Sequence, residues 1–300
     1  MSTEREQIIA GLVRIGFTAD TAEAFLQNNP DQARRYRLAP PPPREEKKEE
    51  KPIYPDLPTT PADFTFGVEI ECLVKETEYR NASADVIRRR TRSASNKTFF
   101  KDVGDGSIKS DIKGYKGREV VSSILKGDKG FEKLKEVCDI LKACDTRVND
   151  TCGLHIHVGV QHGISDNLAE KVHTMYRKCE SVIDTFIAPS RRGKQNEYCQ
   201  SIIHTRCDLN KGDRYKKLNL VSLRKHGTIE FRHHQGTSDY EEISNWIKFC
   251  VSMVDYCNNH TKDELRYIKI NSIDKMPFIS KDVMMYYKQK QKQYNTDNAI

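Results

Sequence analysis

The chain has 300 residues, a net charge of +7, 37% apolar and 31% charged side chains, the balance of a folded, water-soluble protein. It has no apolar run near the roughly 20 residues needed to cross a bilayer and no apolar signal segment at its start, so a cytoplasmic protein without membrane contact is expected. A charge of +7 suits an acidic or phosphate-bearing substrate and does not call for nucleic acid.

Residues 4–37 carry a short helical pattern: Ile8, Leu12 and Ile15, a break at Gly16-Phe17-Thr18, then Ala22, Phe25, Leu26 and Ala33. Helix, glycine-containing turn and helix, with a third short helix, give a three-helix unit over residues 1–38. The Ile15-Gly16-Phe17 turn, with Leu12 before it and Ala24-Phe25-Leu26 after it, resembles a ubiquitin-associated domain. That resemblance implies a docking module for a protein partner; a helical appendage without a ligand is the alternative. Residues 39–61 hold eight of the eleven prolines around a run of alternating charge, and form a semi-rigid spacer without a core.

From residue 62 to 300 the pattern is that of one larger domain. Strands are expected at Phe64 to Leu73, Phe99 to Val103, Ser107 to Ile112 and Arg118 to Val121, the last three joined by the turn signals Asp105-Gly106 and Lys113-Gly114. A helix over Phe131 to Cys144 follows, then a strand containing His155-Ile156-His157. Next comes a helix capped by Ser165 with the stripe Leu168, Val172, Met175, Cys179, Val182 and Phe186, ending before Pro189. Lys217 to Leu223 and Gly227 to His233 read as a hairpin, and Tyr240 to Cys257 as the last long helix. Hairpins plus helices predict an α+β fold, an antiparallel sheet backed by helices. The nine cysteines, an odd number with no CxxC pair, sit among apolar neighbours and read as buried thiols. Cys152, beside the histidine strand, is also open to a nucleophilic role. The basic run Arg88-Arg89-Arg90, with Arg92 and Lys97, is either a solvated face or a lip for an anionic substrate, and residues 88–101 carry no decodable signature.

Three of the strands place charged or ligating side chains two residues apart: Glu69 and Glu71, His155 and His157, Glu230 and Arg232. Side chains i and i+2 share one face of a strand. One such pair alone is a wet strand face or a salt bridge. Three in one domain exceed what a wet face predicts, since glutamate is depleted in strands. If the strands are neighbours, their common face holds divalent cations and phosphate. Phosphoryl transfer from ATP to a carboxylate needs that equipment, because the protein's task there is charge neutralisation by metal ions and arginine. Glu69, Glu71, Glu119 and Glu230 supply the hard oxygen ligands that Mg²⁺ prefers, with His155 as an added ligand or phosphate donor. Arg232 and Arg224 are the arginines for phosphate. Neither common phosphate-loop signature, GxxxxGK[ST] or GxGxxG, is present.

The ordered series Phe66-Gly67-Val68-Glu69-Ile70-Glu71, Asp105-Gly106-Ser107, Glu119-Val120-Val121-Ser122, Cys152 to Val158 and Gly227 to Thr237 resembles the amidoligase family. Its relatives include glutamine synthetase and glutamate–cysteine ligase. The resemblance spans about residues 62–260 and implies a curved antiparallel sheet whose concave face binds ATP and Mg²⁺, with Mn²⁺ as a substitute. By motif position it implies that Glu69 and Glu230 hold one metal near the ATP phosphates and that Glu71 and Glu119 hold another near the substrate carboxylate. His155 joins the phosphate-side ligands, and His157 lies beside them or contacts substrate. Arg232 contacts the transferring phosphoryl group, with Arg224 a second candidate, and Asp105 either touches the amino substrate or only shapes its turn. Ser123 stands where family members often carry proline. Tyr215 and Asn219 line the nucleotide pocket or serve the core and hairpin.

An ATP-dependent amide-bond ligase acting through an acyl phosphate is the function expected. Its carboxylate and amine substrates are small molecules or groups on a peptide, protein or polymer. A metal-dependent hydrolase using His155, His157 and the carboxylates, and an adaptor that has lost catalysis, are the competing readings.

Overall fold

The computed structural model describes residues 3–14, 17–37, 60–75, 99–193, 196–209 and 212–297. The chain divides into two compact units, Met1–Ile53 and Tyr54–Ile300. The expected linker lies almost wholly outside the described residues, as do Arg88 to Arg90, Arg92 and Lys97 of the basic run.

In the first unit, α1 (Glu4–Arg14), α2 (Ala19–Asn28) and α3 (Pro30–Ala33) follow one another. Thr18 caps α2 by accepting a hydrogen bond from the Thr21 amide at 3.3 Å, and Pro30 opens α3, where a missing N–H costs nothing. Ile8, Leu12, Ala22 and Ala33 are buried together, with Phe17 against Phe25 at 5.3 Å. Ile15 and Gly16 of the expected turn lie outside the described residues.

The second unit is an α+β domain on a single sheet. Its strands are β1 (Phe64–Lys75), β2 (Phe100–Val103), β3 (Tyr115–Ser122), β4 (Gly153–Val160), β5 (Leu218–Asn219) and β6 (Ile229–Gln235), all paired antiparallel in the order β2-β3-β1-β4-β6-β5. One face of β1 carries Phe66, Val68, Ile70 and Cys72, all buried, and β4 adds Leu154, Ile156 and Val158. Against this face pack α4 (Gly127–Ala143), α5 (Asp166–Ile183) and α7 (Tyr240–Asn259), through Leu134, Met175, Trp246 and Cys250 among others. Each large side chain so buried contributes about 1.5–3 kcal/mol. The remaining α-helices among the described residues are α6 (Val221–His226), α8 (Lys262–Tyr267) and α9 (Lys281–Asp297). Ser165 and Asp239 cap α5 and α7, accepting from the amides of Leu168 and Glu242 at 3.1 and 2.8 Å. All nine cysteines are free, eight of them buried.

Two expected strands are corrected. Ser107 to Ile112 is a loop, because its polar groups bond side chains instead of a neighbouring strand: Asp105 accepts from the Ser107 amide at 2.7 Å, and Thr151 accepts from the Lys109 amide at 3.1 Å. Ile108 of this loop packs on β3 over Gly117, where a β-carbon would lie only 2.6 Å from Ile108 Cβ. Lys217 to Leu223 is not one strand either. The Asn219 side chain accepts from the Val221 amide at 2.9 Å and starts α6, which ends at Gly227 in the left-handed region, φ 69°. The link to β6 is therefore a short helix, not a hairpin turn. α8 and α9 fall beyond the last element expected from the sequence. α8 is only six residues long and is set by a capping box between Thr261 and Glu264. α9 is mostly polar and buries little more than Val283, Met284 and Tyr287.

Candidate active site

The strand face turned away from the helices carries the charged pairs, and the register places them side by side. Glu71 lies opposite Glu119, Glu69 opposite His155, and His157 opposite Glu230, which in turn faces Asn219 on β5. Five strands thus contribute one connected cluster. Between Leu154 and Ile156 the β4–β6 register shifts. Across that shift Arg232 stays on the site face, while both His233 and His234 go to the helix side. There His233 bonds the Tyr176 hydroxyl at 2.7 Å and His234 packs on Trp246 at 5.3 Å.

His155 Nδ1 is 3.0 Å from Glu69 Oε2 and 3.7 Å from Glu230 Oε1, and its Nε2 is 3.5 Å from Glu71. His157 Nε2 sits 3.3 Å from Glu69 and 4.0 Å from Glu230, while its Nδ1 is fixed 2.8 Å from the Thr228 hydroxyl. Arg232 Nη1 donates to Glu230 Oε1 at 2.6 Å, and Asn219 holds the other oxygen of Glu230. Glu71 accepts from the Gly153 amide at 2.6 Å. Asp105 is held by both the amide and the hydroxyl of Ser107, each at 2.7 Å, so one oxygen is spoken for and the other is available.

The electrostatics are uneven across this face. Burial works against the charge on Glu69, but hydrogen bonds and charge from His155 and His157 hold its carboxyl well below the usual range. Glu119 goes the other way, pushed up to about 8 by burial and then by the negative charges of Glu69, Glu71 and Asp105. Burial lowers the basicity of His157, yet Glu69 and Glu230 together raise it. Ionisation of Glu119 is thus opposed by burial and by three neighbouring acids, and a cation placed among them would relieve that opposition.

Three groups of potential ligand atoms, each within 4.8 Å of one another, occur among the described residues: Glu69–His157–Glu230, Glu69–Glu119–His155 and Glu71–Asp105–Glu119. Six oxygens around a small hard cation at about 2.1 Å stand about 3 to 4 Å apart, so these spacings fit divalent ions. The last group is all oxygen, which suits Mg²⁺ or Mn²⁺.

Every residue expected at the site is brought to it except one. Glu69, Glu71, Asp105, Glu119, His155, His157, Glu230 and Arg232 line a single cavity of about 560 Å³. Arg224 does not line it; it lies on the outer side of α6, 3.2 Å from Asp166, with more than half its side chain exposed. Its neighbours Lys225 and His226 face the cavity instead, because a helical turn, not an extended strand, leads into β6. Tyr215 and Asn219 do line it, with Tyr198 stacked edge-on to Tyr215 at 5.3 Å and Arg214 over the Tyr215 ring at 4.7 Å. Lys109, Arg191 and Arg214 complete the wall. None of these has a sequence signal, since each comes from a loop whose path is set by contacts distant in the chain.

Residues 62–208 and 204–254 match the model of a family described as "Putative amidoligase enzyme". The chain belongs to that family. The amidoligase match contains every cluster residue from Glu69 to Arg232 and leaves α8, α9 and the N-terminal unit outside. No curated protein matches the chain. Among the described residues no helix is long and apolar enough to cross a membrane.

Proposed function

We propose that this amidoligase is an ATP- and Mg²⁺-dependent carboxylate–amine ligase that forms an amide or isopeptide bond through an acyl phosphate. The observation that carries the reading is the sharing of one cavity by two groups of potential ligands, Glu69–His157–Glu230 and Glu71–Asp105–Glu119, with Arg232 anchored on Glu230 two residues away on the same strand. Mg²⁺ held by these residues, or Mn²⁺ in its place, would supply neutralisation of phosphate charge.

The protein's own contributions follow from the geometry. Glu230, fixed by Asn219 and Arg232, cannot rotate away from the cavity. Burial works against the charge on Arg232, and the Glu230 carboxylate more than offsets it while holding the guanidinium at the cavity, where it would meet a γ-phosphoryl group. The substrate carboxylate oxygen attacks the γ-phosphorus, the bond to ADP breaks, and the amine nitrogen then attacks the acyl carbon, releasing inorganic phosphate and one proton. Tyr215 and Arg214 offer a planar surface for the adenine. Lys225 and His226 supply further positive charge to the cavity. The nine free thiols suit a reducing, cytoplasmic setting.

The test is ADP release by the purified chain with MgATP across a panel of carboxylates and amines. ADP formation only when both co-substrates are present is the expected result. Bond cleavage without nucleotide, with Zn²⁺ in the purified protein, would instead establish a hydrolase.

A further inference from the structure

Arg191 sits in the turn that follows α5 and is only 2% exposed. Lys217, fully buried, lies 3.1 and 2.6 Å from Glu180 and Asp184, and half-buried Arg232 lies on Glu230, whereas buried Lys171 donates to the His260 carbonyl. Arg191 has no carboxylate partner among the described residues. One Nη nitrogen donates to the Arg232 carbonyl, and Nε, equally buried, has no hydrogen-bond partner. An interior guanidinium left without an anion is costly, and a fork with an idle donor is shaped for a carboxylate. The sheet makes room for it at Gly153, where a β-carbon would lie 3.0 Å from both Arg191 Nη2 and His155 Nε2.

Its location says what kind of anion it takes. Arg191 lines the main cavity and also a second cavity of about 300 Å³, which shares Ser107, Lys109, Thr151 and Tyr198 with the first. This junction is at the Gly153 end of β4, beside Glu71, whereas His226 packs by His157 at 5.9 Å, toward the other end. We propose that Arg191 is the receptor for a second, non-reacting carboxylate of the substrate, so that the acid ligated is a dicarboxylate whose far end is held where the two cavities meet. The assignment of the reacting end rests on the ligase reading; the anion site itself does not.

The test is calorimetry on the full chain with succinate, glutarate and adipate against the matched monocarboxylates butyrate, valerate and hexanoate. Titrations are run with and without Mg²⁺ and a non-hydrolysable ATP analogue. The wild type should bind at least one dicarboxylate about tenfold or more tighter than its monocarboxylate partner, the gain of one charge-assisted fork. Arg191→Met should erase that preference and leave affinity for the nucleotide analogue unchanged. If the methionine variant does not fold, Arg191→Lys keeps the charge without the fork and should lose most of the preference. Absence of a preference in the wild type, or its survival in a folded variant, overturns the proposal. So does a variant that weakens the nucleotide analogue and spares the dicarboxylate, since the guanidinium would then serve a phosphate. Failure of the wild type to bind nucleotide at all would sink the ligase reading and leave the dicarboxylate preference standing.

Discussion

Glu69 of β1 and His155 of β4 face each other in the sheet register, with His155 Nδ1 3.0 Å from Glu69 Oε2. The other oxygen of Glu69 lies 3.3 Å from His157, so one carboxylate bridges both imidazoles. Glu69 also belongs to two of the three potential cation groups. Glu119 belongs to two groups as well, but it carries no such bridge between imidazoles, so loss of Glu69 should disturb the histidine pair as well as the cation groups.

Glu69→Ala and Glu230→Ala are expected to lower ATP-dependent turnover at least about 100-fold, as removal of a group that neutralises transferring phosphate does. Circular dichroism should stay near wild type for both, with the melting temperature near wild type for Glu69→Ala and lowered for Glu230→Ala, which strands the Arg232 guanidinium and the Asn219 amide. Retention of ADP formation in either folded variant would contradict the assignment.

Arg232→Lys should retain the positive charge but lose the planar fork, and kcat should fall by about 10-fold or more with a smaller change in nucleotide affinity. Arg224→Ala is the contrast. Its guanidinium meets Asp166 on an exposed surface, so both turnover and stability should stay within about twofold and about 0.5 kcal/mol of wild type.

The metal-free protein should show the proton on Glu119. Its folded pKa, about 8, is above its ordinary value of 4.5, so between these pH values the folded state holds a proton that the unfolded state has lost. Stability then falls as pH rises through that window. Urea unfolding at pH 5.5 and 7.5, in the presence of a chelator, should show wild type losing stability relative to Glu119→Gln. Mg²⁺ binding near pH 7 should release a proton, seen by calorimetry in buffers of different ionisation enthalpy. Metal binding with no proton release would contradict this account.

Behind the site, Lys217 is fully buried between Glu180 and Asp184, and Asp184 also lies 2.7 Å from His233 Nε2. Lys217→Met should cost about 3–5 kcal/mol in urea unfolding, since it strands two carboxylates without their cation. A loss below about 1 kcal/mol would show that the network adds little to stability. Because β6 carries His233 on one side and Arg232 on the other, turnover should fall along with stability.

The helix-backed antiparallel sheet and most of its polar face were legible in the sequence. Period-2 alternation around Glu69, His155 and Glu230 is a local property, and it survives folding because one face of each strand must bury Ile70, Ile156 and Phe231. The misses have a common physical cause. Ser107 to Ile112 alternates like a strand, but Asp105, Asn149 and Thr151 capture its backbone groups from the side. Lys217 to Leu223 starts with Leu218 and Leu220 alternating as in a strand, but the Asn219 side chain starts a helix, and that turn moves Arg224 out of the cavity and Lys225 and His226 into it. Arg191 has no periodic neighbours, and only the tertiary structure shows that its Nε is buried without a hydrogen-bond partner among the described residues.

The most direct measurement is calorimetric titration of a non-hydrolysable ATP analogue into the wild-type chain and Glu230→Ala, each with Mg²⁺ and with chelator. Nucleotide should bind the wild type about one to one only when Mg²⁺ is present, and the variant should lose that metal-dependent binding. Equal affinity with and without metal, or full binding by Glu230→Ala, would contradict the claim that these strands jointly hold a metal–nucleotide complex.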